Sequence, residues 1–292
     1  MKSIKTALIL CFCLLATSAD VRNARIVEGE ISLEGQFSFA VAFFYQKAGV
    51  TNQCGGSLIN ERWILTAAHC VYESESFSIY LGTNDLQNLG SKGMVINATT
   101  YIAHPEYNSV TLANNLGLIQ LPKLVTFNDR IQSIQLPSKT LNTGENAIVV
   151  GWGATKDADP LPIPSNILSH VALTTISNTA CMRVYGSIIR DTMVCASGQG
   201  NHGICRGDSG GGLVQTDADG NYVHVAVASF YGRECENNYP SGFTRTYEYL
   251  DWIKNVTSSQ TEDDNDNNSA SSDSNLLLII TFTTIVSLKL NQ

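Results

Sequence analysis

The sequence predicts an all-β domain, a sandwich or a barrel, followed by a terminal helix. Short runs rich in β-branched and aromatic residues recur between Gly, Asn, Asp and Pro, which is the pattern of strands and turns. Residues 247–256 instead place their apolar side chains at helical spacing. The strand-like runs lie at residues 37–45, 63–67, 116–121, 147–150 and 223–230.

The chain is long enough for one such domain with additional segments at both ends. It has 292 residues, and all-β domains of about 200–250 residues commonly form a single unit. Its 18 basic and 26 acidic residues give a net charge of -8, and the basic residues are scattered singly. A nucleic-acid partner is therefore not expected.

The first 19 residues have the pattern of a secretory signal peptide. Lys2 and Lys5 precede an apolar run at residues 7–16, and the small residues at 17–19 suit cleavage. The apolar run is too short to span a bilayer. We therefore expect a secreted, extracellular protein.

Six cysteines remain after removal of that segment, and an oxidising compartment favours three disulfides among them. Zinc binding is the rival interpretation, but no close Cys pair or His-rich cluster offers tetrahedral ligand spacing. We predict no metal and no cofactor. The six are Cys54, Cys70, Cys181, Cys195, Cys205 and Cys235.

The C-terminal segment is divided into a polar and an apolar part. Residues 258–275 are acidic and polar, so we expect a disordered linker. Residues 276–292 form a hydrophobic tail whose apolar stretch is short for a transmembrane helix. Small residues at 268–270 before this tail resemble a GPI-anchor signal, which would attach the protein to the cell surface. A membrane-associating or unprocessed tail is the open alternative.

A serine surrounded by glycines is the first candidate for chemistry. Glycines around Ser209 let the backbone turn tightly and direct amide N–H groups at a developing oxyanion. The segment also fits the G-x-S-x-G elbow of α/β-hydrolases, but His224 follows the serine too closely for that fold. His69, in a small-residue turn beside Cys70, is the better candidate base.

Four segments in order resemble the chymotrypsin family of serine proteases. They read IVEG at residues 26–29, LTAAHC at 65–70, GWG at 151–153 and GDSGG at 207–211. Residues 235–236, 240–245 and 250–253 are most similar to the arthropod brachyurin-like, or collagenase-like, branch. The resemblance implies a protease domain at 26–257, with two packed six-stranded antiparallel β-barrels, a cleft between them and a C-terminal helix.

The resemblance also implies roles for individual residues. Ser209 is the expected nucleophile and His69 its base, and the N–H groups of Gly207 and Ser209 form the oxyanion hole. The implied disulfides are Cys54–Cys70, Cys181–Cys195 and Cys205–Cys235.

Activation by another protease is a further implication of the resemblance. A cut between Arg25 and Ile26 would make residues 20–25 a propeptide and release the amine of Ile26. That ammonium is expected to pair with Asp208, because a buried charge needs a partner.

The chain departs from the family at the third member of the triad, where Asn115 replaces the aspartate. A neutral amide supplies no charge, and its NH₂ favours the wrong imidazole tautomer. The nearest aspartates, Asp85 and Asp129, are too distant in sequence to replace it. Two functions stay open: a serine endopeptidase with strongly reduced activity, or a non-catalytic homologue that binds a protein or peptide substrate or inhibitor.

The resemblance implies that substrate preference depends on four residues of the primary pocket: Gly203, Ile204, Ser229 and Tyr231. Without a carboxylate at Gly203, selection of Lys or Arg is disfavoured, and we expect an apolar or small residue before the cut. Tyr231 narrows or closes the pocket, unless a shifted alignment gives the open position to Gly232.

Three sequons for N-glycosylation agree with secretion, although such short motifs are common by chance. They begin at Asn97, Asn255 and Asn267. Asn255 falls in the predicted terminal helix, so its use is doubtful.

Overall fold

Two antiparallel sheets make up the computed structural model, which describes residues 29–157, 161 and 163–258. The N-terminal sheet has the strand order β6-β5-β2-β3-β4-β8-β7. Only Thr99 separates β6 from β7, so the sheet curls until its two edge strands are neighbours in the chain. Its strands are β2 (Ala40–Lys47), β3 (Val50–Leu58), β4 (Trp63–Thr66), β5 (Ser76–Leu81), β6 (Met94–Ala98), β7 (Thr100–Ala103) and β8 (Gly117–Gln120).

The C-terminal sheet closes into a six-stranded barrel, because β9 pairs with both β10 and β12. The short strand β1 (Glu30–Ile31) adds to the outside of β10. The barrel strands are β9 (Asn146–Gly151), β10 (Ser169–Ile176), β11 (Met193–Ala196), β12 (Gly212–Thr216), β13 (Tyr222–Phe230) and β14 (Ser241–Arg245).

Alternating side chains explain why these segments form strands with one face on a core. In β5, Phe77, Ile79 and Leu81 are buried, whereas the residues between them are partly exposed. Each sheet surrounds its own core, and a third cluster joins the two sheets through Ala42 of β2 and Val150 of β9. The two sheets are therefore packed against each other through apolar side chains.

Helical structure is limited and mostly short. The chain forms α1 (Ala68–Val71) and α2 (Asn178–Tyr185), and residues 250–258 are helical after a 3₁₀ turn at Tyr247–Tyr249. Tyr249 and Ile253 pack into the core of the N-terminal sheet. No helix within the described residues combines the length and apolarity needed to cross a membrane. Two further 3₁₀ turns occupy Gly186–Ile188 and Gln199–Asn201.

The structure confirms the predicted fold class and the terminal helix. The five strand-like runs correspond to β2, β4, β8, β9 and β13, each within a few residues of its expected bounds. The three disulfides are present as Cys54–Cys70, Cys181–Cys195 and Cys205–Cys235. The signal peptide, the propeptide and nearly all of the acidic linker, with the hydrophobic tail, lie outside the described residues.

Candidate active site

Ser209 lies in a tight turn just before β12, held against β3 by a hydrogen bond. The amide of Gly55 donates to the carbonyl oxygen of Ser209 at 2.7 Å. The next residue, Gly210, has φ +81°, and a Cβ there would lie 2.1 Å from Thr66 Oγ1. The turn that presents Ser209 therefore requires glycine for both backbone conformation and space.

We expect Gly210→Ala to lower the free energy of unfolding by about 3 kcal/mol, since it adds a steric clash to left-handed backbone strain. Gly220→Ala is the matched control: Gly220 has φ +87°, but nothing lies within 4 Å of its Cβ position. That change should cost about 1 kcal/mol. Urea unfolding with the disulfides intact measures both. Equal losses would show that crowding beside Ser209 is unimportant.

The amides of Gly207 and Ser209 are available to bind an oxyanion. Neither N–H donates to an acceptor within the part of the chain that the structure describes. Backbone N–H groups without an internal partner, grouped around a nucleophile, are suited to stabilising the charge of a tetrahedral intermediate.

Asp208, between these two residues, turns its carboxylate into the protein interior. The amide of Gly153 donates to Oδ1 at 2.7 Å, and the amide of Cys205 donates to Oδ2 at 2.9 Å. Burial raises the pKa of Asp208 to about 7, and the two N–H donors offset only part of that rise. A Cβ on Gly153 would lie 2.1 Å from the carboxylate, so glycine is needed for this close approach. The expected partner, Ile26, and Arg25 before it lie outside the described residues.

His69 lies in α1, directly after β4, and contacts Asn115 through both its backbone and its ring. The His69 amide donates to Asn115 Oδ1 at 3.0 Å. The ring Nδ1 lies 2.9 Å from Asn115 Nδ2 and 3.3 Å from Oδ1. Asn115 is fully buried, and its Nδ2 also donates to Ser229 Oγ at 2.7 Å.

These contacts fix the orientation of the Asn115 side chain. Oδ1 accepts from the His69 backbone N–H, and Nδ2, which also donates to Ser229 Oγ, is the nearer of the two amide atoms to Nδ1. We therefore infer that Nδ1 accepts from Nδ2 and that the ring proton is held on Nε2. In that tautomer Nε2 has no lone pair with which to take a proton from a serine hydroxyl. No carboxylate of the described residues hydrogen bonds to the His69 ring in place of Asn115.

The electrostatic environment of His69 favours the neutral ring. Burial, with a smaller contribution from the positive charge of Lys47, lowers the pKa of His69 to about 4. The nearby acceptor Asn115 Oδ1, 3.3 Å from Nδ1, favours the protonated ring and raises the pKa, but it only partly compensates. The imidazolium that forms when a base accepts a proton is therefore poorly stabilised at this site.

The neighbouring asparagine, Asn114, makes different contacts. Its backbone has φ 53°, which asparagine tolerates better than most residues. Its Nδ2 donates to the carbonyl oxygen of Glu106 at 2.9 Å, and its Oδ1 accepts from the hydroxyl of Tyr249 at 2.8 Å. Asn114 thus supports the segment that carries Asn115 without contacting the imidazole.

A cleft of about 330 Å³ brings His69, Gly207 and Ser209 together with Tyr231. Residues from both sheets line it, including Tyr45 and Gln53 of the N-terminal sheet. The candidate nucleophile and base, which are 140 positions apart in the sequence, therefore share one solvent-accessible site.

The residues expected in the primary pocket take different positions. Ile204 is buried in the core of the C-terminal sheet, and the hydroxyl of Ser229 is occupied by Asn115. The Cβ position of Gly203 lies 2.6 Å from Ser241 Oγ. Sequence reasoning missed Ser241, whose hydroxyl also accepts from the amide of Ile204 at 3.1 Å.

Tyr231 directly follows β13 and is half-buried at the cleft. Its ring packs against the Cys205–Cys235 disulfide, and burial raises the pKa of its hydroxyl. The Cβ position of Gly232 instead faces Asn237 and Tyr239 of its own loop. A phenol rather than open space therefore borders Ser209 on this side.

The Cys54–Cys70 disulfide lies beside His69. Both sulfur atoms lie within 4.8 Å of a ring nitrogen of His69, a spacing at which three free ligands could hold a metal ion. Because the sulfurs are bonded to each other, they do not act as thiolate ligands.

The sequons occupy different surroundings. Asn97 is exposed on β6, where its Oδ1 accepts from Ser78 Oγ at 3.2 Å. Asn255 lies in the C-terminal helix and is exposed. Asn267 is outside the described residues.

The fold and the site geometry agree with the comparisons to known proteins. Residues 26–253 match the protein family described as Trypsin. The chain belongs to this family. It is 37% identical to brachyurin from Leptuca pugilator over 70% of this chain and 87% of the relative. It is 34% identical to collagenase from Hypoderma lineatum over 87% of this chain and 98% of the relative.

Two further similarities support the same assignment. Chymotrypsin-like elastase family member 1 from Canis lupus familiaris is 32% identical over 81% of this chain and 94% of its own. The solved structure of HL collagenase has a TM-score of 0.71 and 33% identity, and the match covers 80% of this chain and 98% of the other. The protein thus contains a chymotrypsin-like serine protease domain. Membership of this protease family suggests protein substrates or inhibitors.

Proposed function

We propose that this domain is a weakened secreted serine endopeptidase, in which Ser209 and His69 hydrolyse peptide bonds at a strongly reduced rate. The observation that carries the proposal is the contact between Asn115 Nδ2 and His69 Nδ1 at 2.9 Å. It places a hydrogen-bond donor where the reaction needs an acceptor with a negative charge.

The rest of the catalytic arrangement supports retained chemistry. Ser209 attacks the scissile carbonyl, and the amides of Gly207 and Ser209 stabilise the oxyanion. His69 takes the serine proton only in its less favoured tautomer and then returns it to the leaving amine. The oxyanion hole and substrate binding alone sustain a residual rate above that in water.

Activation by cleavage after Arg25 is part of the proposal. Asp208 is a buried carboxylate that forms no ion pair with another described residue. A new ammonium at Ile26 would supply the missing positive charge, and pairing would favour the ionised carboxylate. The activating protease is one that cuts after a basic residue.

Peptide hydrolysis by the Arg25-cleaved protein, measured from pH 3 to 8, tests the proposed function. We expect weak activity above that of a Ser209→Ala blank, with kcat/KM falling only below about pH 4, because His69 must be neutral to act as a base. In Asn115→Asp the carboxylate stabilises the imidazolium and raises the pKa of His69, so the fall in kcat/KM at acid pH should begin at a higher pH.

Two results would contradict the proposal. Hydrolysis no faster than the Ser209→Ala blank at every pH would favour the non-catalytic binding module. A fall in kcat/KM that already begins near pH 6.5 or above, in the cleaved protein that keeps Asn115, would show that some other negative group faces the imidazole.

A further inference from the structure

We propose that Arg206 selects an acidic side chain in the part of the substrate that follows the scissile bond. This inference rests on the proposed function, because it assigns a preference to the same cleft. Arg206 precedes Gly207, and both residues line the cleft with Ser209 and His69.

The position of Arg206 is fixed by its backbone, whereas its side chain is free to bind. The Arg206 carbonyl oxygen accepts from the amide of Ala154 at 2.8 Å. Its guanidinium forms no ion pair or hydrogen bond with another residue in the described ranges. The residue is partly buried at the cleft wall. A guanidinium in this situation has its five N–H donors available to a ligand.

Arg206 is also the one residue with a fixed charge among the described residues that line the cleft, since His69 stays neutral at physiological pH. Its positive charge acts on both walls. Burial is the main influence on Tyr45 and Tyr231 and raises the pKa of each, and Arg206 opposes that rise in both. Tyr45 belongs to the N-terminal sheet and Tyr231 follows a strand of the C-terminal sheet, so the charge of Arg206 acts on lining residues from both sheets.

The direction of the substrate follows from the chemistry. The leaving amine receives its proton from His69, so the segment after the scissile bond must begin beside that residue. From His69 the cleft continues past Cys54 to Thr51 and Gln53 of β3, none of which carries a charge. The described residues that line this cleft include one cation, Arg206, and no carboxylate. Arginine binds carboxylates with two parallel hydrogen bonds, which suits this selection.

Matched peptide pairs provide the test, with Glu or Gln at the first or the second position after the scissile bond. We expect the Arg25-cleaved Asn115→Asp protein to prefer Glu by about fivefold to tenfold in kcat/KM at low salt at one of these positions. The preference should fall at 0.5 M salt because exposed charges are screened. Arg206→Gln should reduce the ratio below twofold, and Arg206→Glu should invert it.

Arg183→Gln is the control, because Arg183 is an exposed arginine on α2 that does not line the cleft. It removes the same charge and should keep the full preference. A Glu-to-Gln ratio near one at both positions, or a preference that survives Arg206→Gln, would overturn the inference.

Failure of the proposed function would give a different result. If no peptide is hydrolysed, the same pairs are titrated against the Ser209→Ala protein and binding is followed by fluorescence anisotropy. Binding of the Glu peptide that is tighter than binding of the Gln peptide would support selection by Arg206 in a non-catalytic cleft, provided that the double variant Ser209→Ala, Arg206→Gln loses this difference. Equal binding of the two peptides would exclude it.

Discussion

Asn115→Asp should raise the kcat of the Arg25-cleaved protein for peptide hydrolysis by about 10⁴-fold. The carboxylate has two oxygens, so one can accept from the His69 backbone amide and the other from Nδ1. Nε2 then becomes the free base, and the negative charge stabilises the imidazolium during attack. In the type enzyme of this family the reverse change lowers kcat by about 10⁴, which corresponds to about 5 kcal/mol of transition-state stabilisation.

Asn114→Asp is the matched control for this gain. It introduces the same charge one residue away, but Asn114 contacts Glu106 and Tyr249 rather than the imidazole. We expect it to change kcat by less than about tenfold, because it leaves the tautomer of His69 unaltered. If both substitutions increase kcat equally, a general electrostatic effect is responsible. If neither does, Asn115 is not the cause of weak hydrolysis.

Cleavage after Arg25 should increase the free energy of unfolding by about 4 kcal/mol at pH 7.5, with little change at pH 4. In the uncleaved chain, burial raises the pKa of Asp208 from 3.8 to about 7. The unfolded chain therefore gives up this proton first, and stability decreases as pH rises from about 4 to about 7. The Ile26 ammonium would lower the pKa of Asp208 in the folded state and so remove this loss.

Urea unfolding of the cleaved and uncleaved proteins across this pH range measures the effect. His69 and His224 also shift stability in acid, because loss of solvation lowers their pKa values to about 4 and about 3. Their contributions are common to both forms and cancel in the difference. Arg25→Gln, treated with the same protease, should keep the uncleaved curve. A difference that is constant from pH 4 to pH 7.5 would refute the pairing with Asp208.

Much of the fold was predictable because its causes are local. Strand runs such as residues 223–230 carry their β-branched composition in sequence, and the apolar spacing near Ile253 marks the terminal helix. Barrel closure was not predictable from composition or periodicity, because it depends on β9 pairing with two strands far apart in the chain. Only the resemblance to a family supplied that long-range arrangement.

The candidate site was likewise predictable only where its residues carry a local sequence signal. The motifs around His69 and Ser209 have distinctive local sequences, and they predicted both candidate residues and the replacement at Asn115. The orientation of the Asn115 amide had no sequence signal, because it depends on the backbone amide of His69, 46 positions away. Arg206 was also overlooked, since a single arginine between a cysteine and a glycine says nothing about which wall its side chain occupies.

The contact between Tyr249 and Asn114 links the end of the domain to the segment that carries Asn115. A fragment ending before residue 247 would keep every residue that touches the imidazole and still lose the brace behind Asn115. It would also expose the N-terminal core that Ile253 covers. The smallest competent protease unit therefore includes the last helix, and trimming from the carboxyl end would impair turnover before it reached any reacting group.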